Sequence, residues 1–76
     1  MTLGDCKEGD VVWIPDGWYL KQRYKKVEII GRMTVDDEPT SYILYKEMDI
    51  YGFHNYSHES LICYKENPEE SKENKL

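Results

Sequence analysis

Apolar and polar side chains alternate most clearly over residues 26–36. Val27, Ile29, Gly31, Met33 and Val35 fall at one parity; Lys26, Glu28, Arg32, Thr34 and Asp36 fall at the other, with Ile30 the one exception. A period of two predicts a half-buried strand with the first set facing the core. Gly31 in its middle predicts a bulge or a sharp bend. After the acidic turn Asp36-Asp37-Glu38-Pro39, residues 40–48 form a second long strand-like run centred on Tyr42, Ile43, Leu44 and Tyr45. The two strands and the turn predict a hairpin.

The flanking segments are shorter. Val11-Val12-Trp13-Ile14 lies between Gly9-Asp10 and Pro15, which predicts a first strand ended by the proline. Asp16-Gly17 is a turn signal. Residues 18–26 are irregular and rich in aromatics, which favours a long loop or irregular hairpin over the short helix that pattern alone also allows. Tyr51-Gly52-Phe53-His54 predicts a further short strand, Ser57-His58-Glu59-Ser60 one helical turn, and Leu61-Ile62-Cys63-Tyr64 a last strand. Residues 1–66 form the expected domain. Residues 67–76 lack any apolar period and are expected to be a disordered tail.

This order resembles the SH3-like small barrels, including the short barrel proteins of bacteria and phages. The likeness rests on Gly9-Asp10-Val11-Val12, the long loop before the central strands, and Ser57-His58-Glu59-Ser60-Leu61, and it spans roughly residues 8–65. The resemblance implies an all-β, five-stranded barrel with one short helical turn, whose first and last strands pair antiparallel. The Ala-Leu-Tyr-Asp-Tyr opening and Trp-Trp pair of eukaryotic SH3 domains are absent. The resemblance therefore concerns architecture and not proline-peptide recognition.

Composition narrows the class. Seventy-six residues suffice for one small domain with a thin core. Two tryptophans, seven tyrosines and one phenylalanine argue against a disordered chain. The net charge of -5 and a pI near 4.9 disfavour generic binding to phosphate backbones or anionic membranes. No apolar run approaches a membrane span, and the opening residues carry neither a basic nor an apolar stretch, so the expected location is cytoplasmic. The chain has no alanine and eight lysines to two arginines, a mix that AT-rich genes encode, which points to a low-GC bacterium or one of its phages.

Candidate chemistry is sparse. Cys6, His54, His58 and Cys63 include the residue types zinc prefers, but they lack zinc-motif spacing. In the barrel the resemblance implies, Cys6 and Cys63 would come close; cytosolic thiols stay reduced, so the expectation is two free thiols that oxidation can join. Cys63 and His58 could be drawn as a thiol–imidazole pair, yet residues five apart across a turn and strand usually point in different directions. No phosphate-cradling glycine loop is present. The expectation is a protein that is not an enzyme and needs no cofactor or metal.

Two surfaces remain. Residues 1–64 carry seven basic and eleven acidic side chains, and four of the basic ones, Lys21, Arg23, Lys25 and Lys26, fall together. Interleaved with Trp18, Tyr19 and Tyr24, they make a candidate contact for single-stranded nucleic acid; the plainer reading is a solvated loop. The other surface is aromatic: Trp13, Trp18, Tyr19, Tyr24, Tyr42, Tyr45, Tyr51 and Tyr56 are candidate protein-binding residues, since a small barrel cannot bury them all. The leading expectation is a non-enzymatic protein-binding module, a small phage or mobile-element factor that binds or inhibits a host protein. The alternative is a nucleic-acid-binding barrel using residues 18–26.

Overall fold

The computed structural model describes residues 1–17, 23–49 and 51–69. Four antiparallel strands form one sheet in sequence order: β1 (Val11–Pro15), β2 (Tyr24–Thr34), β3 (Ser41–Glu47) and β4 (His54–His58). Among the described residues the chain also forms a 3-10 turn at Leu3–Asp5. The protein is therefore all-β. Among the described residues no helix is long and apolar enough to cross a membrane.

The expected bulge is present. Ile29 faces Tyr45 and Gly31 faces Leu44, so Ile30 is the extra residue. Its effect goes beyond a bend, because one inserted residue reverses which parity points inward. Val27 and Ile29 are buried as expected, but Met33 and Val35 are exposed. Beyond the bulge it is Arg32 that pairs with buried Ile43, while Met33 pairs with Tyr42 on the other face.

The strand expected at residues 51–54 lies later, at His54–His58, and takes the first half of the helical turn expected at residues 57–60; a turn follows it, with Leu61 N–H donating to His58 O at 3.0 Å. Asp49 explains the shift: its Oδ1 accepts from the backbone N–H groups of Tyr51 and Gly52, both at 3.0 Å, and draws these residues into the turn. The polar run His54-Asn55-Tyr56-Ser57-His58 then becomes a strand through its pairing with β3.

Residues 61–64, expected as a fifth strand, make two isolated bridges instead of a ladder. Ile62 pairs with Thr2, and Tyr64 pairs with Trp13 on the edge of β1 away from β2. Trp13 N–H donates to Tyr64 O at 2.7 Å, and Tyr64 N–H returns a bond at 2.8 Å.

The core comprises Leu3, Val12, Ile14, Val27, Ile29, Ile43, Tyr45 and Cys63, with Cys6 and Leu61 packed against it. The strands supply the wall, and the N-terminal turn and residues 61–63 supply the lid. Leu3, the first residue of that turn, is fully buried against the core. Asp5 fastens the turn: its Oδ2 accepts from Thr2 N–H at 3.0 Å and from Thr2 Oγ1 at 3.2 Å. These bonds favour the carboxylate and hold Asp5 below its ordinary value. Gly4 lets the turn approach, since a Cβ there would lie 3.3 Å from the carbonyl oxygen of Glu59, which accepts the Gly4 N–H at 2.9 Å.

Candidate protein-binding surface

Cross-strand partners share a face of the sheet. Ile43 and Tyr45 point inward, so Tyr42 and Leu44 point outward. Register then sets Met33, Tyr42 and His58 in one row and Leu44 beside Tyr56 in the next. The Tyr42 ring meets Tyr56 edge-to-face at 5.8 Å and His58 edge-to-face at 5.6 Å. Such contacts orient the rings without burying them: Tyr56 remains 54% exposed, and Met33 is exposed beside the row.

The acidic turn borders this patch. Tyr42 donates its hydroxyl hydrogen to Glu38 Oε2 at 2.9 Å. That hydrogen bond, together with the nearby negative charge, raises the phenol above its usual value. Val35 is exposed beside Asp36, Asp37 and Glu38. The result is an apolar and aromatic patch with carboxylates at one end.

The remaining tyrosine candidates separate. Tyr45 belongs to the core at 2% exposure, with its hydroxyl 2.8 Å from Ser57 Oγ, and so leaves the surface set. The parity of the strand accounts for this correction: Tyr45 lies two residues from Ile43 and shares its face. Tyr24 is half-buried and meets Tyr64 edge-to-face at 5.6 Å. Trp13 is half-buried beneath Lys26, whose Nζ lies 5.9 Å from the ring centroid. Tyr51 stacks on Phe53 in the β3–β4 connection, and both are well exposed. Trp18 and Tyr19 lie outside the described residues.

The basic cluster does not share one face. Lys21 lies outside the described residues, and Arg23 is exposed. Lys25 points inward, where its Nζ lies 2.7 Å from Glu47 Oε2 and 3.7 Å from Asp16 Oδ1. Burial works against its charge, but the Glu47 hydrogen bond and the surrounding negative groups outweigh it and hold the ammonium above its ordinary value. Lys26, one residue on, points outward.

The four potential metal ligands divide as well. Cys6 and Cys63 are free thiols with Sγ atoms 3.7 Å apart. His54 and His58 occupy opposite ends of β4, and His58 Nδ1 contacts Ser60 Oγ at 2.7 Å. No group of three potential metal ligands occurs among the described residues.

Hollows on the described surface include two near these residues. A groove of about 560 Å³ beside Cys63 is lined also by Met1, Tyr64, Lys65, Glu66 and Pro68. A second, of about 500 Å³, lies under the β3–β4 connection among Glu28, Lys46, Glu47, Met48, Asp49, Tyr51 and Gly52.

No protein-family model, curated protein or solved structure matches the chain.

Sequence reasoning missed His58 and Met33 as members of the patch. Their signal is the register of the hairpins: the bulge shifts it for Met33, and His58 belongs to a strand whose polar sequence does not mark it as one.

Proposed function

We propose that this chain is a non-enzymatic protein-binding module whose docking face is the outer surface around Tyr42 and Tyr56. The observation that supports the reading is that Tyr42, Tyr56 and His58 form one edge-to-face cluster on an open sheet face. Exposed aromatic groups of this kind anchor protein interfaces. The carboxylates of residues 36–38 give the partner its chemistry: a surface presenting lysine or arginine beside apolar side chains. A small acidic domain of this sort could cover the basic nucleic-acid-binding surface of a host protein. That role suits a phage or mobile-element factor working in host cytoplasm.

The accompanying fold proposal is an SH3-like small barrel with residues 61–64 as its fifth strand. Its support is the two-way backbone pairing of Trp13 with Tyr64 on the free edge of β1. The opposed directions of Lys25 and Lys26 weigh against the nucleic-acid reading of residues 18–26.

The test is retention of partners from a low-GC bacterial lysate on the immobilised chain, with and without nuclease. The expected result is a discrete protein that survives nuclease, is released by salt, and is lost with Tyr42→Ala/Tyr56→Ala but kept with Tyr51→Ala/Phe53→Ala. Retention that vanishes with nuclease would transfer the function to residues 18–26. Retention unaffected by the Tyr42/Tyr56 pair would remove this face.

A further inference from the structure

Cys6 and Cys63 are 57 positions apart in the chain, yet their sulfur atoms are in contact at 3.7 Å. The contact is held from both sides. Residue 6 follows the 3-10 turn, and its N–H donates to Leu3 O at 3.0 Å. Residue 63 is fixed by Cys63 N–H donating to Met1 O at 3.0 Å, and the Leu3 N–H bond to Leu61 O at 2.9 Å ties the same two segments. The two sulfurs are unequal. Cys63 is buried at 1% exposure, and Cys6 is only half-buried, with its thiol directed at Thr2 O.

We propose that Cys6 and Cys63 form a reversible dithiol–disulfide site whose oxidant is a low-molecular-weight disulfide of the glutathione class, with Cys6 as the attacking sulfur and Cys63 as the resolving one. In the first step the Cys6 thiolate bonds to one sulfur of the small disulfide. The disulfide bond breaks, and one small thiolate leaves and takes up a proton. In the second step Cys63 Sγ bonds to Cys6 Sγ, the bond from Cys6 to the small thiol breaks, and the departing thiolate takes the Cys63 proton. The two protein thiols are oxidised to one disulfide, and the small disulfide is reduced to two thiols.

The inequality of the sulfurs sets this order. Burial, followed by the contact with Cys6, pushes the Cys63 thiol up to about 12, which keeps it protonated and unreactive toward reagents in solution. Its position against Cys6 supplies the proximity that its low thiolate fraction does not. The small thiol departs from the Cys6 side, which is only half-buried, while Cys63 lies behind it in the core. The bond would enclose residues 6–63 and lock the N-terminal turn over the core.

The test equilibrates the native protein with defined ratios of reduced and oxidised glutathione, then reads free thiols and intact mass. The expected product has lost two hydrogens, carries no adduct, recovers both thiols on reduction, and melts roughly 10–20 °C above the reduced form. Cys63→Ala should trap glutathione on Cys6, whereas Cys6→Ala should stay unmodified while folded. A wild-type protein that keeps both thiols under oxidising ratios, or stops at the glutathione adduct, overturns the proposal. The wild-type measurement decides even if a variant fails to fold.

Discussion

Lys25 Nζ lies 2.7 Å from Glu47 Oε2 across the inner face of the sheet, while its neighbour Lys26 reaches over Trp13 on the opposite face. Two lysines adjacent in sequence thus do different work. Lys25→Glu places a second carboxylate beside Glu47 and should cost about 1–2 kcal/mol, whereas Lys26→Glu should cost under about 0.5 kcal/mol. Urea unfolding of the two variants checks this, and equal costs would contradict the inward placement of Lys25. The raised Lys25 value gives the pH dependence its sign. The stabilisation is fully present below the ordinary lysine value of 10.5 and is lost as pH rises through the higher folded value.

Leu3 is completely buried although it stands third in the chain. Leu3→Ala should destabilise the domain by about 2–4 kcal/mol, a large share of what a domain this small possesses. Ile62→Ala, at an exposed position in the segment that covers Leu3, should cost under about 1 kcal/mol. Thermal melts of both variants test the ranking; a Leu3 variant as stable as the Ile62 variant would mean the N-terminal turn does not cap the core.

Gly9 and Gly31 separate backbone conformation from crowding. Neither has an atom within 4 Å of a would-be Cβ, but Gly9 has φ +95° and Gly31 has no positive φ. Gly9→Ala should therefore cost about 1–2 kcal/mol, and Gly31→Ala should be neutral or stabilising by about 0.5 kcal/mol. Denaturant midpoints give the comparison. The reverse ranking would mean that the bulge, not the Gly9 turn, needs the glycine.

Asp5 is held below its ordinary value of 3.8 by its bonds from Thr2. A lowered carboxyl value means that its contribution is complete above the unfolded value and is lost as pH falls through the folded one. An NMR titration should give an Asp5 midpoint below 3.8, with the Thr2 amide signal moving along the same curve. In Asp5→Asn that movement should disappear. A midpoint at or above the ordinary value would show that the turn is not fastened by this side chain.

The first half of β2 was legible because Val27 and Ile29 alternate with polar neighbours. The runs Val11-Val12-Trp13-Ile14 and Tyr42-Ile43-Leu44-Tyr45 marked strands, but with no polar residue between their apolar ones they left the inward set open. The reading failed where pairing overrode local pattern. Ile30 reversed the parity of β2, so Met33 and Val35 emerged on the outer face. The run from His54 to His58 holds a single large apolar side chain, Tyr56, and its strand conformation comes from β3 alone. Leu3 gave no periodic signal because the N-terminal turn is too short to have a period. The Thr2-x-x-Asp5 spacing was its only clue. The aromatic candidates were found by composition, but composition could not separate Tyr45 inside from Tyr42 outside; the burial of Ile43, two residues from Tyr45, does so in the structure.

The burial of Leu3 under residues 61–63 has a consequence for synthesis. A ribosome delivers residue 3 first, and the partners that cover it arrive only after β4 has been made. Until then the growing chain can pair β1 with β2 and β2 with β3, but the apolar side of that sheet stays uncovered. Contacts this far apart in sequence close late and slowly. The long-range contact that covers the apolar side therefore closes after the sheet itself has paired.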